Sequence, residues 1–136
     1  MIKLKDFSSA DKLFEYALTF LFISKYSEDQ EMMQKLKQVK DSIYMNISFC
    51  KIAMKDYSKA LDYLQDSLLY NKTNLKCIYR ITHCYYELNE TEKALEFCNK
   101  GLSMDSKSQE FMCMKEEINS KIKKEEAEKR SLFRKL

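Results

Sequence analysis

Two stretches of this chain, Asp56-Tyr57-Ser58-Lys59-Ala60-Leu61 and Glu90-Thr91-Glu92-Lys93-Ala94-Leu95, share the order acid, two variable residues, Lys-Ala-Leu, and stand 34 residues apart. A shorter copy, Asp6-Phe7-Ser8-Ser9-Ala10, precedes them. Seven residues beyond each alanine comes another small residue (Ala17, Ser67, Gly101), and four beyond it comes Phe14, Leu64 or Cys98. Small residues at i and i+7 lie on one helix face and let a neighbouring helix approach closely. A unit of this period is a helix, a turn and a second helix. Such a unit cannot bury its apolar face alone and must stack on its neighbours.

Turn chemistry agrees. One glycine and no proline in 136 residues remove the residues that hairpins and sandwiches need and leave helices joined by short polar turns. With 33% charged and 45% hydrophobic residues, the helices should be amphipathic rather than disordered. The expected fold class is all-α: a solenoid of helical hairpins, about six helices at 7–25, 29–54, 57–70, 74–88, 91–103 and 107–134. The last is a long capping helix that packs through Phe111, Met112, Met114, Ile118 and Ile122. By length the chain is one domain.

A 34-residue helix–turn–helix period with small–apolar–small spacing resembles the tetratricopeptide repeat. In the second repeat Tyr44, Ile47, Ser48, Ala60, Leu64 and Ser67 occupy the family's packing positions. Ile78, Ile81, Thr82, Tyr85, Ala94, Cys98 and Gly101 do so in the third. The chain departs from the family in having no tryptophan and no closing proline, and in placing Ser48 and Thr82 where glycine is usual. Ala10 precedes Ala60 by 50 residues, so 16 residues are inserted around Lys25 to Val39. The register also places most of the first repeat's leading helix before Met1. The expected layout is therefore a second helix of repeat 1 (1–25), capped by Ser8 and Ser9, an insertion (26–39), repeat 2 (40–73), repeat 3 (74–106) and a charged C-terminal helix (107–136).

On this reading the chain is a fragment of a longer protein. The first helix's face (Leu13, Phe14, Tyr16, Ala17, Phe20, Leu21) lacks a partner and would otherwise be covered by self-association. The long insertion, the repeat number and the ending Glu-Lys-Arg-Ser-Leu-Phe-Arg-Lys-Leu are similar to the C-terminal module of FKBP-type immunophilin co-chaperones. The resemblance implies a prolyl isomerase domain upstream and a cytoplasmic, alternatively nuclear, setting. Related co-chaperones with other neighbouring domains fit the same spacing.

Several classes are disfavoured. Five cysteines (Cys50, Cys77, Cys84, Cys98, Cys113), odd in number and without a C-x-x-C pair, argue against a disulfide framework or zinc site and for buried thiols. The apolar run Phe20–Ile23 is far below the roughly 18 residues of a membrane span. A net charge of +3 gives no argument for nucleic acid. One histidine, no phosphate loop and no hydrolase or zinc-protease motif leave no catalytic set, and no cofactor is expected. The charged run Lys121–Arg130 reads as a solvated helix extension. Its alternative is a basic amphipathic end for a calmodulin-like partner or a membrane surface.

The residues that remain are those facing a groove. In helical-hairpin solenoids the first helix of each repeat lines the concave surface. In repeat 3 the face recurring at intervals of four, three and four is Lys76, Arg80, His83, Glu87; in repeat 2 it is Ser42, Asn46, Phe49, Ala53. Lys76 and Arg80 are like charges one turn apart, an arrangement that disfavours the helix unless an anion uses it. With Asn46 they supply a point charge, a fork and a neutral donor for carboxylates.

The family resemblance implies more. Its co-chaperones hold the Glu-Glu-Val-Asp tail of seventy- or ninety-kilodalton heat-shock proteins through a carboxylate clamp. Asn46, Lys76 and Arg80 match three of its five positions, and the other two would precede Met1. Phe49 is expected as an apolar wall or as core, and His83 as a groove-lining or peptide contact. The competing reading is a structural adaptor or self-assembling module whose groove holds a helix.

Overall fold

A computed structural model describes residues 4–23 and 30–135, with side chains from Phe7 to Thr19 and from Glu31 to Lys135. Six helices and no strand occur among the described residues: α1 (Leu4–Ile23), α2 (Gln30–Ala53), α3 (Tyr57–Tyr70), α4 (Leu75–Glu87), α5 (Thr91–Met104) and α6 (Gln109–Arg134). The chain forms two compact units, residues 1–77 and 78–136, which meet within α4. The side chains of Phe20 and Leu21, and the stretch 24–29, which includes the start of the expected insertion, lie outside what is described. The rest of the insertion is helical and lengthens α2.

In the first unit α1 packs on α2 and α2 on α3. Ile47, Ala60, Leu64 and Cys77 have no exposed surface, and Ile43, Cys50 and Leu61 are also buried. Ser67 is equally buried, and its hydroxyl donates to the Asp41 carboxylate. The residues standing in for glycine bury without loss. Ser48 Oγ donates to the Met45 carbonyl at 2.7 Å and Thr82 Oγ1 to the Ile78 carbonyl at 2.8 Å. Each hydroxyl is thus satisfied within its own helix.

One correction concerns α1. Its first described turn begins at Leu4, so Ser8 and Ser9 are exposed residues inside the helix and do not cap it. Polar groups fasten α1 to α2. Lys51 Nζ donates to Asp11 Oδ2 at 2.6 Å and lies 3.4 Å from Glu15 Oε1, while Tyr63 O–H donates to Glu15 Oε1 at 3.5 Å. Burial alone would lower the Lys51 pKa. The Asp11 hydrogen bond and the charges of Asp11 and Glu15 outweigh it and hold the ammonium above its ordinary value.

In the second unit α5 packs on α6, around Ile78, Ile81, Cys84, Tyr85, Ala94, Cys98, Phe111, Met114 and Ile118. Gly101 is required where it stands, because a Cβ there would run into the Phe111 ring. Ser108 caps α6, its hydroxyl accepting from the Phe111 N–H at 3.4 Å. Met112, expected in the packing face, is instead 45% exposed. Cys113 departs likewise: four of the five free thiols are buried and it is exposed. Beyond Ile122 the helix is mostly solvated, with Leu132 and Phe133 largely exposed among basic residues.

The repeat shows in its turns. Lys55 (φ 60°) and Asn89 (φ 61°) are the described non-glycine residues with positive φ, and they are 34 residues apart. Each turn closes by the same bonds. Asp56 N–H reaches the Lys51 carbonyl at 2.8 Å, and Glu90 N–H the Tyr85 carbonyl at 2.9 Å. The repeat also shows in its thiols: Cys77 donates to the Leu64 carbonyl at 3.1 Å and Cys98 to the Phe111 carbonyl at 3.2 Å. Positions 64 and 98 are equivalent, as are 77 and 111. The same type of helix contact carries its thiol on opposite sides in the two places.

Candidate peptide-binding site

Helix α4 opens where the Asn74 side chain accepts from the Cys77 N–H at 3.2 Å, satisfying one of the donors a helix start leaves open. Cys77, Ile78, Ile81, Thr82, Cys84 and Tyr85 are buried. At 100° per residue these six centre on one side of the helix. Lys76, Arg80, His83 and Glu87 fall within a narrow stripe on the opposite side. Lys76 and Glu87 are exposed, and Arg80 and His83 half-buried. About 6 Å of helix rise separates Lys76 from Arg80. The apolar pattern that buries one face of α4 therefore leaves the two cations on the other.

Helix α2 repeats the arrangement. Ile43, Ile47, Ser48, Cys50 and Lys51 are buried, while Ser42 and Asn46 are exposed. Phe49 is 47% exposed and its ring centroid stands 5.6 Å from that of Phe7 on α1. It is thus partly an α1 contact and partly open surface. The side chains of Asn46 and Lys76 make no hydrogen bond or ion pair with the described residues.

The Cys84 thiol, on α4 beside the stripe, is not primed for chemistry. Burial pushes the Cys84 pKa up to about 12, although Arg80, one turn away, acts to lower it. Burial raises the Cys98 thiol as well. No group of three or more His, Cys, Asp or Glu among the described residues is arranged to hold a metal. No described helix is long and apolar enough to cross a membrane.

Sequence reasoning missed two features. One is the Asp11–Lys51–Glu15 cluster. Its signal was present, since Lys51 continues the buried spacing Ile43, Ile47, and a lysine on an apolar stripe asks for a carboxylate. The other is Lys40, whose Nζ lies 5.6 Å from the ring centroids of both Tyr44 and Tyr70 and donates to Tyr70 Oη at 3.2 Å.

A family model for the tetratricopeptide repeat matches residues 51–111. Over that stretch the chain matches the tetratricopeptide repeat. Over 86 residues it is 28% identical to the Hsp70/Hsp90 co-chaperone CNS1 of Saccharomyces cerevisiae, covering 61% of this chain and 22% of that protein. It spans only between 19% and 24% of the length of the curated relatives it matches.

Among solved structures, the C-terminal TPR-containing domain of a Plasmodium falciparum protein described as FK506-binding is similar in fold. Its TM-score is 0.80 at 24% identity, covering 90% of this chain and 82% of that one. The first TPR of Spaghetti (RPAP3), bound to the HSP90 peptide SRMEEVD, has a TM-score of 0.58 at 12% identity, covering 85% of this chain and 94% of that one.

Proposed function

We propose that this chain is a peptide-binding module of a co-chaperone, taking the acidic C-terminal tail of a cytosolic heat-shock chaperone. Lys76 and Arg80 hold carboxylates from α4, and Asn46, which occupies the position of Arg80 one repeat earlier, donates a neutral hydrogen bond. The observation that carries the reading is the exposed cationic stripe on α4, whose Lys76 is engaged by nothing in its own chain among the described residues. Lysine supplies a compact charge and arginine a planar fork, a combination suited to two neighbouring carboxylates. A co-chaperone among the relatives and a similar fold holding a peptide that ends Glu-Glu-Val-Asp support the choice of ligand. His83 and Phe49 are the further groove contacts of this reading.

A hydrogen bond to a charged group contributes roughly 1.5–3 kcal/mol. Three such contacts, offset by the cost of association, predict weak binding. The Lys76→Ala, Arg80→Ala variant should weaken binding of a Glu-Glu-Val-Asp peptide at least tenfold in a shift titration. Added salt should weaken it too, because the site is charge-based. Amidating the peptide's terminal carboxylate should remove it. A double variant that binds the tail as the parent does sinks the reading.

A second reading has its own observation. Leu13 and Tyr16 on α1 are 69% and 72% exposed, which favours an adaptor that assembles through α1. Sedimentation of Leu13→Ser, Tyr16→Ser against the parent tests it, since a strictly monomeric parent excludes self-assembly.

A further inference from the structure

The stripe on α4 carries one more side chain able to bear positive charge. His83 stands three residues beyond Arg80, about 4.5 Å further along the helix and about 60° back around it. Side chains so placed are neighbours, about 5–6 Å apart at Cβ. His83 is half-buried there, and it is the one histidine in 136 residues.

Charges of both signs surround it within the second unit. On α4, Arg80 one turn before opposes protonation of the ring, and Glu87 one turn after favours it. Tyr79, also one turn before, has its phenol held above the ordinary value by burial and then by the charges of Glu110, Glu117 and Cys113. Those three are therefore the α6 groups near this side of α4. Lys121 of α6 adds a cation one turn after His83, its Nζ 4.1 Å from the Tyr86 ring centroid.

We infer that His83 is a pH-dependent third cation of the stripe, pairing with a carboxylate of the bound tail when its ring is protonated. The inference rests on the tail reading above. A tail ending Glu-Glu-Val-Asp carries more carboxylates than Lys76 and Arg80 can hold, so one remains for a neighbour on the same stripe. A bound carboxylate favours the charged ring. By the same linkage the peptide binds more tightly as pH falls through the range in which histidine takes up its proton. Ordinary carboxylates, lysines and arginines do not titrate in that range. Glu87 competes for the imidazolium, so the gain stays on the scale of an exposed ion pair.

The test titrates the full chain with a Glu-Glu-Val-Asp peptide at about pH 8 and about pH 5.5, at one salt concentration. The parent should bind about threefold more tightly at the lower pH. His83→Gln, which keeps a neutral donor, should bind alike at the two, at the parent's strength at the higher pH. His83→Lys, charged throughout, should also bind alike at the two, and at the higher pH more tightly than the parent. Equal binding by the parent at both pH values overturns the inference and leaves the tail reading standing. So does a pH dependence that survives His83→Gln, or a His83→Lys variant that gains nothing at the higher pH. Failure of the parent to bind the peptide at either pH overturns the tail reading itself.

Discussion

Helices α1 and α3 carry the same code and are held differently. Ala60, Leu64 and Ser67 of α3 have no exposed surface, whereas their counterparts Ala10, Phe14 and Ala17 in α1 are all half-buried. Helix α3 packs on α2 and also takes the Cys77 thiol of α4 on its Leu64 carbonyl. Helix α1 packs on α2 and is secured there by Lys51, Asp11 and Glu15. Small–apolar–small spacing thus specifies a surface on which a helix can dock. How deeply that surface is buried depends on what docks.

The largest effect should come from truncating the two equivalent apolar residues. Leu64→Ala removes a side chain with no exposure from a packed core and should cost about 3–4 kcal/mol. Phe14→Ala deletes a larger side chain, yet part of it is already in water, so a smaller loss of about 1–2 kcal/mol is expected. Urea unfolding of the two variants measures both. A Phe14→Ala loss as large as that of Leu64→Ala would mean that α1 is packed as firmly as α3, and the contrast would be gone.

The ionic fastening of α1 comes next. Asp11→Ala strands a lysine whose side chain is 9% exposed. Breaking a buried pair in this way costs up to about 3–5 kcal/mol, but Glu15 remains at 3.4 Å. About 2 kcal/mol is therefore the expected loss on unfolding. The pH dependence has a definite sign. The Lys51 pKa is raised in the folded chain from 10.5, so its contribution is full below pH 10.5 and is lost as pH rises through the folded value. Tyr63, raised by burial and then by Glu15, acts in the same direction. The parent should therefore lose stability in alkali faster than the Asp11→Ala, Lys51→Met variant, which retains Tyr63 but lacks the pair. Parallel alkaline melts would show this fastening to be unimportant if they fell together.

These elements differ in how far the sequence announced them. Repeats 2 and 3 were legible because their register is written twice, and Ile47, Leu64, Ile78, Ile81, Ala94 and Cys98 all proved fully buried. The opposition of Lys76 and Arg80 to the buried face of α4 was legible for the same reason: a helix 13 residues long fixes its faces by period alone. What escaped was whatever depends on side chains from distant segments. Lys51 and Asp11 are 40 residues apart, and nothing local to either names the other. Met112 and Cys113 were read inward because apolar type was taken for position. Their neighbours Phe111 and Met114 are three apart and already fill the α6 face that packs.

The smallest effect concerns the two matching turns. Lys55 and Asn89 both hold left-handed backbone, at φ 60° and 61°, and each closes its helix with the same pair of hydrogen bonds. Left-handed backbone strains a lysine through its Cβ, while asparagine visits the region readily and glycine carries no penalty there. Lys55→Gly should accordingly stabilise the chain by about 1 kcal/mol and Asn89→Gly by a few tenths at most. Urea midpoints of the two variants check the difference. Equal gains would mean that the asparagine side chain offers its backbone no accommodation at this turn, and that the two repeats differ there in sequence but not in strain.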